Sequence, residues 1–589
     1  TVAGNKDLAP SAIAAGAGTV RLDVLGNISG DNLPGTNEID GGVLIVEQVE
    51  HLDGIKTGVS ELTVKQADLI NIQVASIVIP LLNATDDITI VTTGNEVSLG
   101  TVTTNATLSI RDNGVFDADI GSIDGAQNTT IQARTLQISD VGQVDLEANV
   151  DIAIFDNVTE SPTTVGGGGI PGVIFRNEGD LTLTLRDIAS DNGALVENVG
   201  QLTLLSASGT IDLPDVELRS TDSIAINGDQ TFQAGEVFTV VSDTGDITAS
   251  GGTITVGAAA ATATNLIDFT AGADADLSSV LSSTNGGISA AAGNSIRLNS
   301  DITTSAGTET VTLAAGGQIV DDANNATDIS TGTLSILDAN GIGTLAAPVN
   351  TDITTLSITD AAGNAAVTGD THIRQIRDIT VAPVETVNGN FNLTTEDGDA
   401  GTTASISVES LDVGTAAVNL NADGSIATII GGTTGLIRGS DLTLTTQVEN
   451  ALDGSITVAT EVTGSTIIAT TGDAADNNFG QNDDITIANS SAIDTTLVAN
   501  AYGEGADVTV TQTNGGLTVQ SMSTENGAIS VTGVDADLTI DEVTAGGTND
   551  VTLATQNSGN IGLGAVTAGD DSVIINTVGD VFDHGAGVN

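Results

Sequence analysis

Short apolar–polar–apolar triplets recur along this chain every 21 to 23 residues, and that beat constrains the fold more than any other feature. Val508-Thr509-Val510, Ile529-Ser530-Val531 and Val551-Thr552-Leu553 open successive units, and Val573 begins the next, at steps of 21, 22 and 22. Leu517, Leu538 and Ile561 start a second run 9 or 10 residues into each unit, and Met522, Val543 and Val566 mark a third. Alternation of this kind puts one set of side chains inward and the other outward on a strand. The beat returns at Val311, Leu334, Leu356 and Ile379 (23, 22, 23) and at Leu181, Leu202, Ile224 and Ile247 (21, 22, 23). Strands at this period, separated by Gly, Asn and Asp turns, predict an all-β parallel β-helix, or β-solenoid, with about 22 residues per coil. A leucine-rich horseshoe needs a consensus that is absent, and a propeller needs about twice the period.

Composition agrees. Hydrophobic residues make up 39% of the chain but aromatics only 2%, so the interior is expected to be thin and built of Val, Ile, Leu and Ala. The 71 Gly, with abundant Thr, Asn and Asp, favour strands and turns over helix. A low aromatic content with high charge also suits disorder, but the regular alternation argues against it. One coil cannot bury its inward face alone; stacked on its neighbours it pairs in parallel above and below. At ~22 residues per coil the chain predicts about 27 coils, and at ~4.8 Å per stacked strand an elongated rod roughly 130 Å long. Outward Thr are expected to form ladders, and Asn or Asp at turns to share hydrogen bonds from coil to coil.

The beat weakens in places. Residues 1–60, with the cluster Asp31-Asn32-Leu33-Pro34-Gly35, read as an irregular start, a cap or a junction, and residues 61–589 as the solenoid. Loop insertions are expected near 161–172 and 472–484, and Val256 to Asn265 reads as a short helix or a small-residue coil face. The chain opens at Thr1 without a charged-then-apolar signal segment, which fits a processed part of a longer secreted protein or an engineered chain.

The stretches Gly332–Gly363 (GTLSILDANGIGTLAAPVNTDITTLSITDAAG) and Ser558–Val581 (SGNIGLGAVTAGDDSVIINTVGDV) resemble filamentous-haemagglutinin-like repeats of large bacterial surface adhesins. The resemblance is one of repeat style and is clearest from residue 290 onward. It implies a right-handed parallel β-helix, export, and a role in adhesion or a surface layer. The N-terminal secretion domain of two-partner-secreted members is not visible in the chain, which leaves the export route open.

Charge carries the main functional signal. Lys+Arg number 13 against 77 Asp+Glu, a net charge of −64, which argues against a nucleic-acid-binding surface. Over the expected rod this is about one charge per 2 Å, comparable with DNA at one per ~1.7 Å. Such a polyanion attracts divalent cations, so Ca²⁺ is the expected ion, with simple solubility as the alternative. The calcium candidates are Asp476, Asn478, Asn482 and Asp484 in one acidic loop, and Asp397 and Asp399 in another. Neither loop is an EF-hand: the first lacks the sixth-place Gly and closing Glu, and the second carries Val408 at the twelfth place.

The same residues point away from an enzyme. Sugar-cleaving sites pair carboxylates with aromatic platforms, whereas Trp is absent and Tyr502 stands alone. The densest basic cluster, Arg374 and Arg377 with His372, is expected to be a surface patch paired with Asp378. His51, His372 and His584 are too far apart along a solenoid to share a metal or a catalytic triad. Zero Cys excludes disulfides and thiolate chemistry, and no apolar run approaches the ~20 residues of a membrane-spanning helix. The expectation is therefore a non-catalytic extracellular structural or adhesive element of a cell-surface or matrix filament. Self-association and cell-surface glycans are its expected partners, with a glycan-binding module as the alternative and a polysaccharide-degrading enzyme as a third class.

Overall fold

The computed structural model describes residues 1–4, 6–10, 12–30, 37–113, 119–122, 131–158, 173–189, 193–205, 211–212, 215–233, 237–257, 265–284, 286–304, 308–360, 362–396, 403–430, 433–446, 454–472 and 483–585. They fall into two compact units, Thr1–Ser289 and Ala290–Asn589. Each is a parallel β-solenoid. Among the named strands only Ile429–Ile430 and Thr433–Thr434 pair antiparallel. No helix occurs among the described residues, so none is long and apolar enough to cross a membrane.

In the first unit, one inward column shows how the coils stack. Leu22 lies against Val46, Val46 against Val64, Val64 against Leu82 and Leu82 against Val102. All five are fully buried. Parallel pairing also reaches into residues 1–60, where Val2 lies against Leu22 and Ile28 against Leu52. Farther on, Leu181, Leu202, Ile224 and Ile247 stack in the register the beat predicts.

In the second unit Val508, Ile529, Val551 and Val573 form one column. Leu517, Leu538 and Ile561 form another, and Met522, Val543 and Val566 a third. One expected register is corrected. Leu356 lies against Val381, two residues beyond Ile379, and Ile379 stacks instead on Ile406 of the following coil. Steps between paired residues range from 17 (Ile131 to Ala148) to 30 (Ile467 to Leu497), because turns accept insertions that strands cannot. The described coils are accordingly fewer than a uniform 22-residue step predicts.

The interior is mostly aliphatic, as expected, but Phe155, Phe175, Phe238, Phe269 and Phe391 are among the largest fully buried side chains. Phe238 packs between Phe232 and Phe269, with ring centroids 4.5 and 6.0 Å away. Besides outward Thr there is an inward set of hydroxyls at strand ends. Thr524 donates to Gly527 O at 2.5 Å, Ser283 to Gly286 O at 2.7 Å and Thr386 to Gly389 O at 3.2 Å. Each closes a corner while pairing a buried carbonyl that water cannot reach. Glycine is required where coils meet at such corners, since a Cβ on Gly527 would overlap the Ala506 carbonyl oxygen and one on Gly546 that of Glu525.

The loop cluster at 31–35, the insertion at 161–172 and residues 258–264 of the small-residue segment lie outside the described residues.

Candidate functional site

Several of the acidic residues at turns have a structural task. At several strand starts among the described residues, a backbone N–H is accepted by an Asp or Asn side chain of the preceding coil. Asp484 Oδ1 accepts from Asp507 N–H at 2.8 Å, and Asp507 Oδ1 accepts from Ala528 N–H at 2.6 Å. Asp537 Oδ1 takes Asn560 N–H at 2.7 Å, and Asn560 Oδ1 takes Asp580 N–H at 2.9 Å. In the first unit Asp180 Oδ1 accepts from Gln201 N–H at 3.0 Å. The coil-to-coil sharing expected of turn carboxylates is thus present. Asp484, a calcium candidate, is engaged in this ladder. Asp476, Asn478, Asn482, Asp397 and Asp399 lie outside the described residues.

The basic cluster around His372 is arranged differently from its sequence reading. Arg377 donates to Asp352 of the preceding coil at 2.7 Å, and Arg374 pairs with Glu396 of the next. Asp378 instead accepts from Ser405 N–H at 2.7 Å. A residue two positions away on one strand faces the same side, but in a solenoid the nearest partners lie one coil above or below.

Two places in the described chain have the character of a site. The first is a groove of about 480 Å³ in the first unit. Parallel register places Glu147, Arg176, Glu197 and Arg219 in one outward column, so charges alternate across four coils. Arg176 Nε donates to Glu197 Oε2 at 2.8 Å, and Arg219 pairs with Glu217, which raises the guanidinium pKa further. The inward neighbours of this column form a polar ladder. Asn177 Oδ1 accepts from Val150 N–H at 2.8 Å and its Nδ2 donates to Asn198 Oδ1 at 3.0 Å. Sequence reading missed this groove because its members are 29, 21 and 22 residues apart, and only the coil register brings them together.

The second place is a cluster of Asp321, Asp322 and Asp328 in the second unit, with one carboxylate oxygen from each lying within 4.8 Å of the others. Asp321 ends the strand Gln318–Asp321 and registers with Leu298, a fully buried inward position. A carboxylate therefore stands where the column calls for an aliphatic side chain. Both of its oxygens are buried and without a hydrogen-bond partner. Asp328 is 3% exposed; its Oδ2 accepts from Asn350 N–H at 2.7 Å. Asp322 faces solvent, held by Asn324 through N–H to Oδ1 at 2.9 Å and Nδ2 to Oδ2 at 2.7 Å.

Burial pushes the Asp328 carboxyl up to about 8, and the Asp321 carboxylate beside it adds to the effect, against the lowering by the Asn350 N–H. Burial likewise raises Asp321. Both shifts follow from removing negative charge from water with no cation beside it. The motif Asp321-Asp322…Asp328 is visible in sequence, but nothing in the spacing tells that two of the three carboxylates turn inward.

No protein family, curated protein or solved structure matches this chain.

Proposed function

We propose that the chain is a non-catalytic extracellular structural or adhesive element, a segment of a cell-surface or matrix filament that associates end to end, with Ca²⁺ screening or crosslinking its acidic surface. The observation that carries this reading is the repeated parallel stack with its acidic turns: Val508, Ile529, Val551 and Val573 form one column, and the carboxylates of Asp507 and Asp537 tie their coils to the next. Coils that pair edge to edge within a chain offer the same backbone pairing to a coil of another copy.

Sedimentation velocity over a range of concentrations tests the reading. The expected result is association that strengthens with concentration and with Ca²⁺. A single monomeric species throughout overturns it.

A second reading, a glycan-binding module, is favoured by the groove at Glu147, Arg176, Glu197 and Arg219. Its volume lies in the range of small-ligand sites, and its amides, hydroxyls and paired charges suit a polar ligand. Saturable binding on a glycan array, lost on Arg176→Ala, supports that reading; binding unchanged by the substitution removes it.

A further inference from the structure

A buried carboxylate needs a hydrogen-bond donor, a proton or a cation. Asp321 has none of the first: both oxygens are shielded from solvent and neither has a hydrogen-bond partner. Asn350 adds an independent observation. It stands one coil on from Asp328, 2% exposed, with its N–H bonded to Asp328 Oδ2 and its backbone oxygen accepting from Asp328 N–H at 2.8 Å. Its side chain points into the turn that joins the aspartates, Nδ2 donating to Asn324 O at 3.1 Å, and its Oδ1 is buried without a partner. The two oxygens of Asp321 and the amide oxygen of Asn350 are thus three buried acceptors that no donor fills.

A proton shared between Asp321 and Asp328 supplies one donor and leaves the others unfilled. A cation accepts from all of them at once. Ca²⁺ takes about six to eight oxygens in flexible geometry, whereas Mg²⁺ demands a near-ideal octahedron and gives up its water reluctantly. The three carboxylates lie close enough together to share one ion. Carboxylates, an amide oxygen and a solvent-facing Asp322 that leaves room for water make up the all-oxygen donor set such an ion takes.

We propose that Asp321, Asp322 and Asp328, with the side-chain oxygen of Asn350, form an internal Ca²⁺ site that fastens the 321–328 turn to the coil that follows. The site lies within one coil-to-coil step, so it goes beyond the filament reading and stands or falls separately from association between chains.

The test is calorimetric titration of the full chain with CaCl₂ in ~150 mM KCl, where weak binding to exposed carboxylates is largely screened. The expected result is one binding event per chain, standing clear of the weak background. Asp321→Asn weakens it at least tenfold, Asn350→Leu several-fold, and Asp570→Asn, at a distant exposed turn, leaves it unchanged. Circular dichroism checks that each variant is folded; should Asp321→Asn not fold, Asp322→Asn, at an exposed position, carries the test with an expected several-fold loss. Two results overturn the proposal. One is a wild-type titration that the folded aspartate variants reproduce. The other is a melting temperature that rises equally in Asp321→Asn and Asp328→Asn whether Ca²⁺ is added or withdrawn by a chelator, the behaviour of a proton-sharing pair.

Discussion

The backbone N–H of Asp507 donates to the side chain of Asp484, one coil earlier, at 2.8 Å. Asp507 in turn holds Ala528 of the coil that follows. One residue type thereby repeats the same bond along the stack, and much of the acidic composition acquires a structural reason. Hydrogen bonds to charged acceptors contribute more than neutral ones, though exposure moderates the gain.

Asp507→Ala is expected to destabilise the second unit by about 1 kcal/mol, because the Ala528 N–H loses its acceptor. Asp507→Asn keeps an oxygen in place and is expected to cost less. Chemical denaturation of the two variants side by side measures the difference.

The Asp328 carboxyl, pushed up to about 8 from 3.8, makes stability depend on pH. A raised folded-state pKa means that the folded chain holds the proton more tightly. Its contribution is complete below about pH 4 and is lost as pH rises toward 8. Melting followed by circular dichroism in chelator is expected to show stability falling across that window, with Asp328→Asn flattening the slope.

In the first unit Phe238 packs against Phe232, six residues earlier, and against Phe269 on the coil that follows. Phe238→Ala removes a fully buried ring and is expected to cost about 3–5 kcal/mol, most of it lost transfer energy and the cavity left behind. Val199→Ala, at a position 58% exposed, is expected to be nearly silent by the same denaturation assay.

Gly527→Ala introduces a Cβ against the Ala506 carbonyl, which is main chain and cannot turn aside. The coils must part locally, at an expected cost of about 1–3 kcal/mol. Hydrogen exchange is expected to quicken in strands Val508–Thr513 and Ile529–Val534, which pair across that corner.

The legible part of the fold was the part written in side-chain period. Wherever a coil lacks insertions, as from Val508 to Val573, counting apolar positions recovers the observed register. Counting failed at Ile379 because it does not say on which side of a triplet extra residues lie. The turn after Ile358, where Asp360 Oδ1 accepts from Ala362 and Asn364 N–H at 2.8 and 2.7 Å, takes up length before Ile379. The sites were less legible for a related reason. Glu147, Arg176, Glu197 and Arg219 become neighbours only through stacking, and Asp321 is unusual only because Leu298 beneath it faces inward. Of the residues read from composition as calcium candidates, only Asp484 lies among the described residues, and its Oδ1 accepts a backbone N–H of the following coil.

The column through Val531 has a mechanical corollary. Val531 meets Val510 on one side and Leu553 on the other, and the same holds for coil after coil. A tug on a free end therefore loads one rung's bonds rather than many in parallel. Each rung that peels away releases roughly 70–80 Å of slack, the extended reach of ~22 residues. Under tension the stack is therefore expected to yield rung by rung, in increments set by the length of a single coil.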